Sequence, residues 1–272
     1  MSGKLAYVLA ELDALERSAE AQSPLHRIDA RAKLLLTVGF LTTMLSVPLT
    51  RLSELLLYFL FPIVGGAAGG LRYGPLFRRS LIVLPLVAFI GVFNLLYDRE
   101  PALGIGPLVL TRGWITFLSI VVRGLLSVQA LLLLIATTGY YRLCRSMQRL
   151  GVPSVFTTQL LFVYRYTYVL IREALQLTRA RDARSFGRRA YPLRTWGTLV
   201  GQLLVRTFNR AELIGRAMLA RGFTGRIPEG LGMQTAWRTR DTAFLAAGST
   251  ALLLLRLYHP VESLASLIAP RL

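Results

Sequence analysis

The sequence predicts an all-α integral membrane protein with about five transmembrane helices plus two long amphipathic helices on the cytoplasmic side. Three observations lead there. Of 272 residues, 54% are hydrophobic and only 17% charged, whereas soluble domains run at ~45–50% apolar with about a quarter charged. The formal net charge is nevertheless +18. The charge is also segregated, because residues 142–240 hold eighteen Arg and four acids (Glu173, Asp182, Glu212 and Glu229) while most of the remainder is apolar. In a membrane protein such a basic block follows from the positive-inside rule and anionic headgroups. A lipid bilayer is therefore the expected partner of the charge, and no nucleic acid is.

The elements follow in order. Leu5, Val8, Leu9, Leu12 and Leu15 recur at helical spacing, so residues 4–20 predict a short amphipathic helix. This stretch also carries Glu11, Asp13, Glu16 and Glu20 and has no apolar centre, so it does not read as a signal peptide. Pro24 suits an entry turn, and Asp29 is placed to cap the next helix by accepting from free backbone N–H groups. Apolar runs at 34–47, 52–68, 81–97, 114–141 and 242–258 are the five expected spans, the shorter ones extended by flanking residues to the ~20 a crossing needs. Spans one to four are expected to carry no carboxylate at membrane depth. Residues 155–171 would add a sixth span, but Arg165 in their middle argues against exposure to lipid.

Orientation follows from the loops. Arg27, Arg31 and Lys33 precede span one, Arg72, Arg78 and Arg79 join spans two and three, and the 142–240 block joins spans four and five. All three fall on one side of a multi-pass cell-membrane protein whose N-terminus is cytoplasmic. The organisation is then 1–141 for the N-terminal segment and spans one to four, 142–240 for the cytoplasmic region, and 241–272 for the last span and tail.

The cytoplasmic region shows helical patterns over 154–181 and 195–219. In the second, Trp196, Leu199, Val200, Leu203, Leu204, Phe208, Ala211 and Met218 form an apolar face, and Arg206, Arg210 and Arg216 occupy much of the rest. Such a helix lies on a membrane surface or buries its face against a partner. A short signature recurs just past both patterns. Ala183-Arg184-Ser185-Phe186 is echoed by Ala220-Arg221-Gly222-Phe223, and Ala180-Arg181-Asp182 competes as the first copy. An arginine at a helix end offers a planar fork for a carboxylate on a partner, and small neighbours let that partner approach. The simpler reading is a helix C-terminus with a favourable cation and a Gly cap. Arg123 lies inside the fourth run and reads either as snorkelling to an interface or as facing a polar partner; Arg256 reads as snorkelling, and Gln129 as an interhelical hydrogen bonder.

Several chemistries find no support. The chain has one cysteine, Cys144, and two histidines, His26 and His259, so no metal site of His and Cys ligands can be assembled, and His26 reads as structural. There is no phosphate-cradling loop ending in Lys-Ser/Thr, no His-Glu-x-x-His and no Gly-x-Ser-x-Gly. No catalytic residue and no cofactor is expected. The alternative from another class is a membrane-embedded enzyme acting on a lipid-linked substrate, which would need a carboxylate pair or a nucleophile–base set.

Two stretches carry a family resemblance. Ser23-Pro24-Leu25-His26-Arg27-Ile28-Asp29-Ala30-Arg31-Ala32-Lys33-Leu34 and Ala217-Met218-Leu219-Ala220-Arg221-Gly222-Phe223-Thr224-Gly225-Arg226 resemble signatures of the transmembrane (T) component of energy-coupling factor (ECF) transporters, of the cobalt-type CbiQ group. The resemblance covers roughly residues 5–230. It implies a scaffold of an ABC-type importer that is not itself an ATPase. Its two coupling helices would end in Ala-Arg-Gly-like triplets that dock into two ATP-binding subunits, while a separate membrane (S) subunit captures the substrate, cobalt or nickel. On this sequence the coupling residues would be Ala220, Arg221 and Gly222, with Ala183, Arg184 and Ser185, or Arg181, as the first set.

Overall fold

A computed structural model describes residues 2–19, 23–71, 73–97, 101–105, 108–184, 193–225 and 237–257. In chain order these form α1 (Ser2–Ala19), a 3₁₀ turn (Leu25–Arg27), α2 (Ala30–Leu45), α3 (Leu52–Leu57), α4 (Leu60–Ala68), α5 (Tyr73–Ser80), a second 3₁₀ turn (Leu81–Val83), α6 (Leu84–Tyr97), β1 (Pro101–Ile105), β2 (Leu108–Thr111), α7 (Arg112–Thr138), α8 (Tyr140–Arg149), α9 (Ser154–Arg184), α10 (Leu193–Ala220) and α11 (Thr239–Leu257). They belong to two compact units. One comprises residues 18–139 and 235–272, and the other residues 1–17 and 140–234.

The predominantly helical class agrees with the sequence, and four local features differ from it. The run at 52–68 is two helices, because Pro62 has no N–H for the carbonyl of Tyr58 and its ring crowds that group; the break falls at Tyr58 and Phe59. The run expected at 81–97 begins at Tyr73, so Arg78 and Arg79 lie in a helix rather than a loop. The fourth run starts at Arg112 and stops at Thr138, where Gly139 takes φ 77 and closes the helix by donating to Ile135 O. Residues 101–105 and 108–111, expected as loop, pair as antiparallel strands with Ile105 opposite Leu108.

In the first unit α2 is the centre. Leu36, Phe40 and Met44 recur every four residues and are buried, with Val47, Leu55, Tyr58, Leu126 and Leu252 packed around them. The Phe40 ring stacks on Phe61 at 4.2 Å. Close approaches fix the neighbours. A Cβ on Gly91 of α6 would lie 2.8 Å from the Phe117 ring of α7, and one on Gly124 of α7 would lie 2.8 Å from Val87 of α6, so a glycine from each helix allows the contact. Gln129 accepts from Tyr73 Oη at 2.9 Å and donates to Ser80 Oγ at 3.4 Å, tying α7 to α5 as its sequence position predicts.

These contacts also fix direction. Lys33, at the start of α2, donates to Thr137 O near the end of α7 at 2.8 Å, so the two helices are antiparallel. Gly65 of α4 and its C-cap Gly69 meet Leu133 and Thr137 in the same order, so α4 runs with α7. Val87–Gly124 and Gly91–Phe117 run in opposite orders, so α6 opposes α7. α11 is parallel to α2. At their beginnings Asp29 N donates to Asp241 Oδ1 at 3.0 Å, and at their ends Arg256 Nη2 donates to Ser46 O at 3.1 Å.

Both ends of α2 are capped by side chains. Asp29 accepts from Arg31 N at 2.8 Å, as its position predicts. Asp241, 1% exposed, also accepts from Arg238 N at 2.8 Å, so one carboxylate serves the first turns of two helices. His26 is buried against Ser23 Oγ at 2.6 Å. At the other end Arg123, partly buried on α7, reaches the close of α2. Its guanidinium donates to Leu45 O and Val47 O, and with Arg256 it covers the carbonyls that end α2. Glu54 contradicts the expected absence of carboxylates, since it is 4% exposed in the first turn of α3 and paired with Arg51 at 3.0 Å.

The outside of this bundle is apolar. Ile82, Leu86, Phe89 and Phe93 are 61–75% exposed. Tyr73–Leu95 and Arg112–Thr138 are each long and apolar enough to cross a membrane, and Leu52–Ala68 is a shorter apolar stretch. Contiguous apolar surface of this kind belongs against lipid or a partner.

Replacing Asp241 by Ala strips the acceptor from two backbone N–H groups, one of them buried, and is expected to destabilise the bundle by on the order of 3 kcal/mol. Asp241→Asn, which keeps one oxygen, should cost less. Chemical unfolding in detergent followed by circular dichroism would rank the two.

Candidate functional site

The two signature arginines lie in the second unit. α9 is 31 residues long and α10 is 28. On α10, Trp196, Leu199, Leu203, Thr207, Ile214 and Met218 are partly buried at steps of three, four and seven, the face that packs on α9. The apolar face read from the sequence thus divides in two. Val200, Leu204 and Phe208 form a second stripe and remain 54–65% exposed. Arg206 and Arg210 reach Glu173 of α9 at 3.1 and 3.8 Å, so Arg206 is paired across the helices. With the arginines more than half exposed, these pairs orient the helices more than they stabilise them.

The pairing is antiparallel. Glu173 meets Arg206 and Arg210, while near the start of α9 Thr158 Oγ1 donates to Gly225 O at 3.3 Å and the Phe162 ring lies 6.2 Å from Phe223. Arg184 ends α9 and Arg221 follows α10, so the two arginines sit at opposite ends of the pair. The twenty-six residue steps from Thr158 to Arg184 correspond to about 39 Å of helix.

Each end has its own construction. At the end of α10, Gly222 takes φ 77, its N–H donates to Leu219 O at 3.0 Å, and Phe223 N donates to Met218 O at 3.0 Å. This is a Schellman closure, and the positive φ is what glycine supplies there. Ala220, Arg221 and Gly222 are all exposed on this cap. At the end of α9, Ala183 and Arg184 are exposed, whereas Arg181 is 18% exposed and lies 3.4 Å from Asp182. Ser185 lies outside the described residues.

The comparisons bear on this arrangement. The family model of the CbiQ cobalt transport protein matches residues 21–230, which takes in α2 to α10 and both arginine triplets. The chain belongs to the CbiQ family. It is also similar to Nickel permease LarQ of Lactiplantibacillus plantarum, 30% identical over 113 residues, 39% of this chain and 41% of that protein. Uncharacterized protein MJ1571 of Methanocaldococcus jannaschii is 30% identical over 94 residues, 34% of this chain and 32% of that one. The matches therefore span less than half of either relative. CbiQ is a family of membrane transport components and not of enzymes. Among the described residues no three His, Cys, Asp or Glu side chains gather into a metal-holding group.

The sequence reading missed the aromatic contacts that hold this unit together. Tyr140 of α8 stacks on Tyr164 at 4.3 Å, Tyr164 Oη lies 3.1 Å from Tyr168 Oη, and Tyr168 donates to Glu16 of α1 at 3.3 Å. Burial, with the neighbouring hydroxyl and Glu16, pushes the Tyr164 phenol far above the usual tyrosine range. Burial likewise pushes the Cys144 thiol up to about 11, so it stays neutral at ordinary pH. The available signal was the four-residue spacing of Tyr164 and Tyr168, opposite an acidic α1.

Phe223 is expected to hold the Arg221 cap on α9. Phe223→Ala should raise amide hydrogen exchange over 219–225 while leaving the middle of α10 unchanged. Gly222→Ala puts a Cβ at positive φ, costs about 1 kcal/mol and should fray the last turn of α10 in the same measurement.

Proposed function

We propose that this chain is the T component of an ECF-type importer, passing ATP-driven motion from two cytoplasmic ATPase subunits to a membrane subunit that captures cobalt or nickel. The carrying observation is the placement of two exposed arginines at opposite ends of one antiparallel helix pair, about 39 Å apart along α9. Two docking points that far apart suit two separate subunits rather than two contacts on one. Arg184 and Arg221 are the docking residues, with Ala183 and Ala220 as small neighbours and Gly222 turning the chain away. The exposure of Arg184, against the ion-paired Arg181, favours Arg184 as the first. The exposed stripe of Val200, Leu204 and Phe208 suits an apolar helix of the capture subunit. The nickel assignment of LarQ and the family description support the metal class of the substrate.

Arg184→Ala and Arg221→Ala should each uncouple uptake, because removing one partner of a buried charge pair costs ~2–5 kcal/mol and leaves the other unpaired. The double variant should lose co-purification with the ATPase subunits. Arg181→Ala should leave uptake near wild type. Unchanged metal uptake by the double variant at equal expression would end the proposal, and a harmful Arg181→Ala beside a silent Arg184→Ala would move the first docking point.

The helix directions support five crossings with a cytoplasmic N-terminus. Successive passes through α2, α3–α4, α5–α6 and α7 alternate, and α11 runs with α2. A crossing by α9 would instead require α11 to oppose α2. The end where α2 and α11 begin carries Arg27, Arg31, Lys33, Arg238 and Arg240, which supports a cytoplasmic placement. A cysteine at Ala183 should react with a membrane-impermeant maleimide only after the cells are opened, and one at Thr50 should react in intact cells. The reverse pattern would invert the topology.

A further inference from the structure

Within the first unit a groove runs between α4 and α11. Its floor is Leu36 of α2 and Leu133 and Leu134 of α7, its α4 wall is Leu60 to Ala68, and its α11 wall is Phe244 to Leu255. The groove holds about 250 Å³ and is lined almost wholly by apolar atoms. The rim is exposed on both sides, at Leu60 and Val64 of α4 and at Ala251 of α11.

Length and charge both point to an occupant. The eleven residue steps from Phe244 to Leu255 span about 16 Å. One leaflet of a bilayer with a hydrocarbon core of ~30 Å is about 15 Å deep. The groove therefore runs for one leaflet, beginning at the bundle end where α2 and α11 start. That end is cationic: Arg27, Arg31, Lys33, Arg238 and Arg240 gather there against the two buried carboxylates of Asp29 and Asp241. Arg240 stands one helical turn before the groove residue Phe244, on the same face, and donates to Arg27 O at 2.6 Å. Leu25, two residues before Arg27, lines the groove itself.

We propose that this groove seats one anionic phospholipid of the cytoplasmic leaflet, its acyl chain between α4 and α11 and its headgroup phosphate on Arg27 and Arg240. A guanidinium carries five N–H donors, and the bond to Arg27 O occupies one of Arg240's, which leaves donors for phosphate oxygens. Anionic lipids are concentrated in that leaflet. A helix of a partner subunit is the competing occupant. The guanidinium groups of Arg27 and Arg240 at the groove's cationic end favour a phosphate-bearing lipid over such a helix. The site is separate from the arginines of α9 and α10. It rests on the reading of this bundle end as cytoplasmic, which the maleimide experiment tests independently.

The test is native mass spectrometry of the full chain, recovered from the membrane fraction and equilibrated in detergent with equal phosphatidylglycerol and phosphatidylcholine. Wild type should retain about one phosphatidylglycerol through activation that strips other lipids. Ala251→Trp fills the groove from its exposed rim and should lose the retained lipid. Ala247→Trp, on the same helix but outside the lining, should keep it, which controls for damage to α11. Arg27→Gln combined with Arg240→Gln should still accept lipid, with its preference for the anionic headgroup reduced about fivefold per arginine. Equal retention of the two lipids by wild type overturns the proposal, as does unchanged retention by Ala251→Trp. Loss of ATPase or capture-subunit co-purification by Ala251→Trp, with lipid retention unchanged, would assign the groove to a protein partner instead.

Discussion

The directions of α7 and α11 against α2 are set by what satisfies the polar groups at the two ends of α2. A helix leaves four N–H groups and four carbonyls without partners, and inside a bilayer those groups have no water to turn to. At one end Asp29 and Asp241 supply acceptors; at the other Arg123 and Arg256 supply donors. Because Asp241 and Arg256 lie at opposite ends of α11, only a parallel arrangement satisfies both. The packing of Leu36, Phe40 and Met44 then fills the space that these polar contacts have framed.

The second unit uses charge differently. Its ion pairs between Glu173 and Arg206 or Arg210 are half in solvent, so register between α9 and α10 comes mainly from apolar steps along α10 and from the Phe162–Phe223 and Thr158–Gly225 contacts near one end. The cap at Gly222 turns the chain back onto α9. Arg221 therefore sits on a cap that touches the first turns of α9 as well as the end of α10. Arg184 lies at the other end of α9, so this helix is the element common to both arginines.

Much of this was legible in the residues. Segregated apolar and basic stretches gave the helical class and the basic end of the bundle, the cap at Asp29 was readable from its place before an apolar run, and Gly222 was readable as a helix terminus. The misses share a cause, since each depends on a contact distant in the chain or on backbone detail. Arg123 looked misplaced until the carbonyls of residues 45 and 47 came beside it. Glu54 was hidden inside an apolar run by its neighbour Arg51. The break before Pro62 was available in principle, because the carbonyl four residues back loses its donor, but apolar content outweighed it. Arg184 is distinguished from Arg181 in the sequence by the Phe that follows it, and in the structure by its greater exposure.

The capping of α2 also bears on how the protein is made. Asp29 waits for Asp241, 212 residues later, and Ser46 waits for Arg256, 210 residues later. During synthesis part of the polar ends of α2 is therefore unserved while α3 to α10 are translated. Docking of α11 then completes the capping of α2. A ribosome stalled before α11 would release a chain holding both arginine-bearing helices but an unfinished bundle, a species suited to recognition by membrane quality-control proteases.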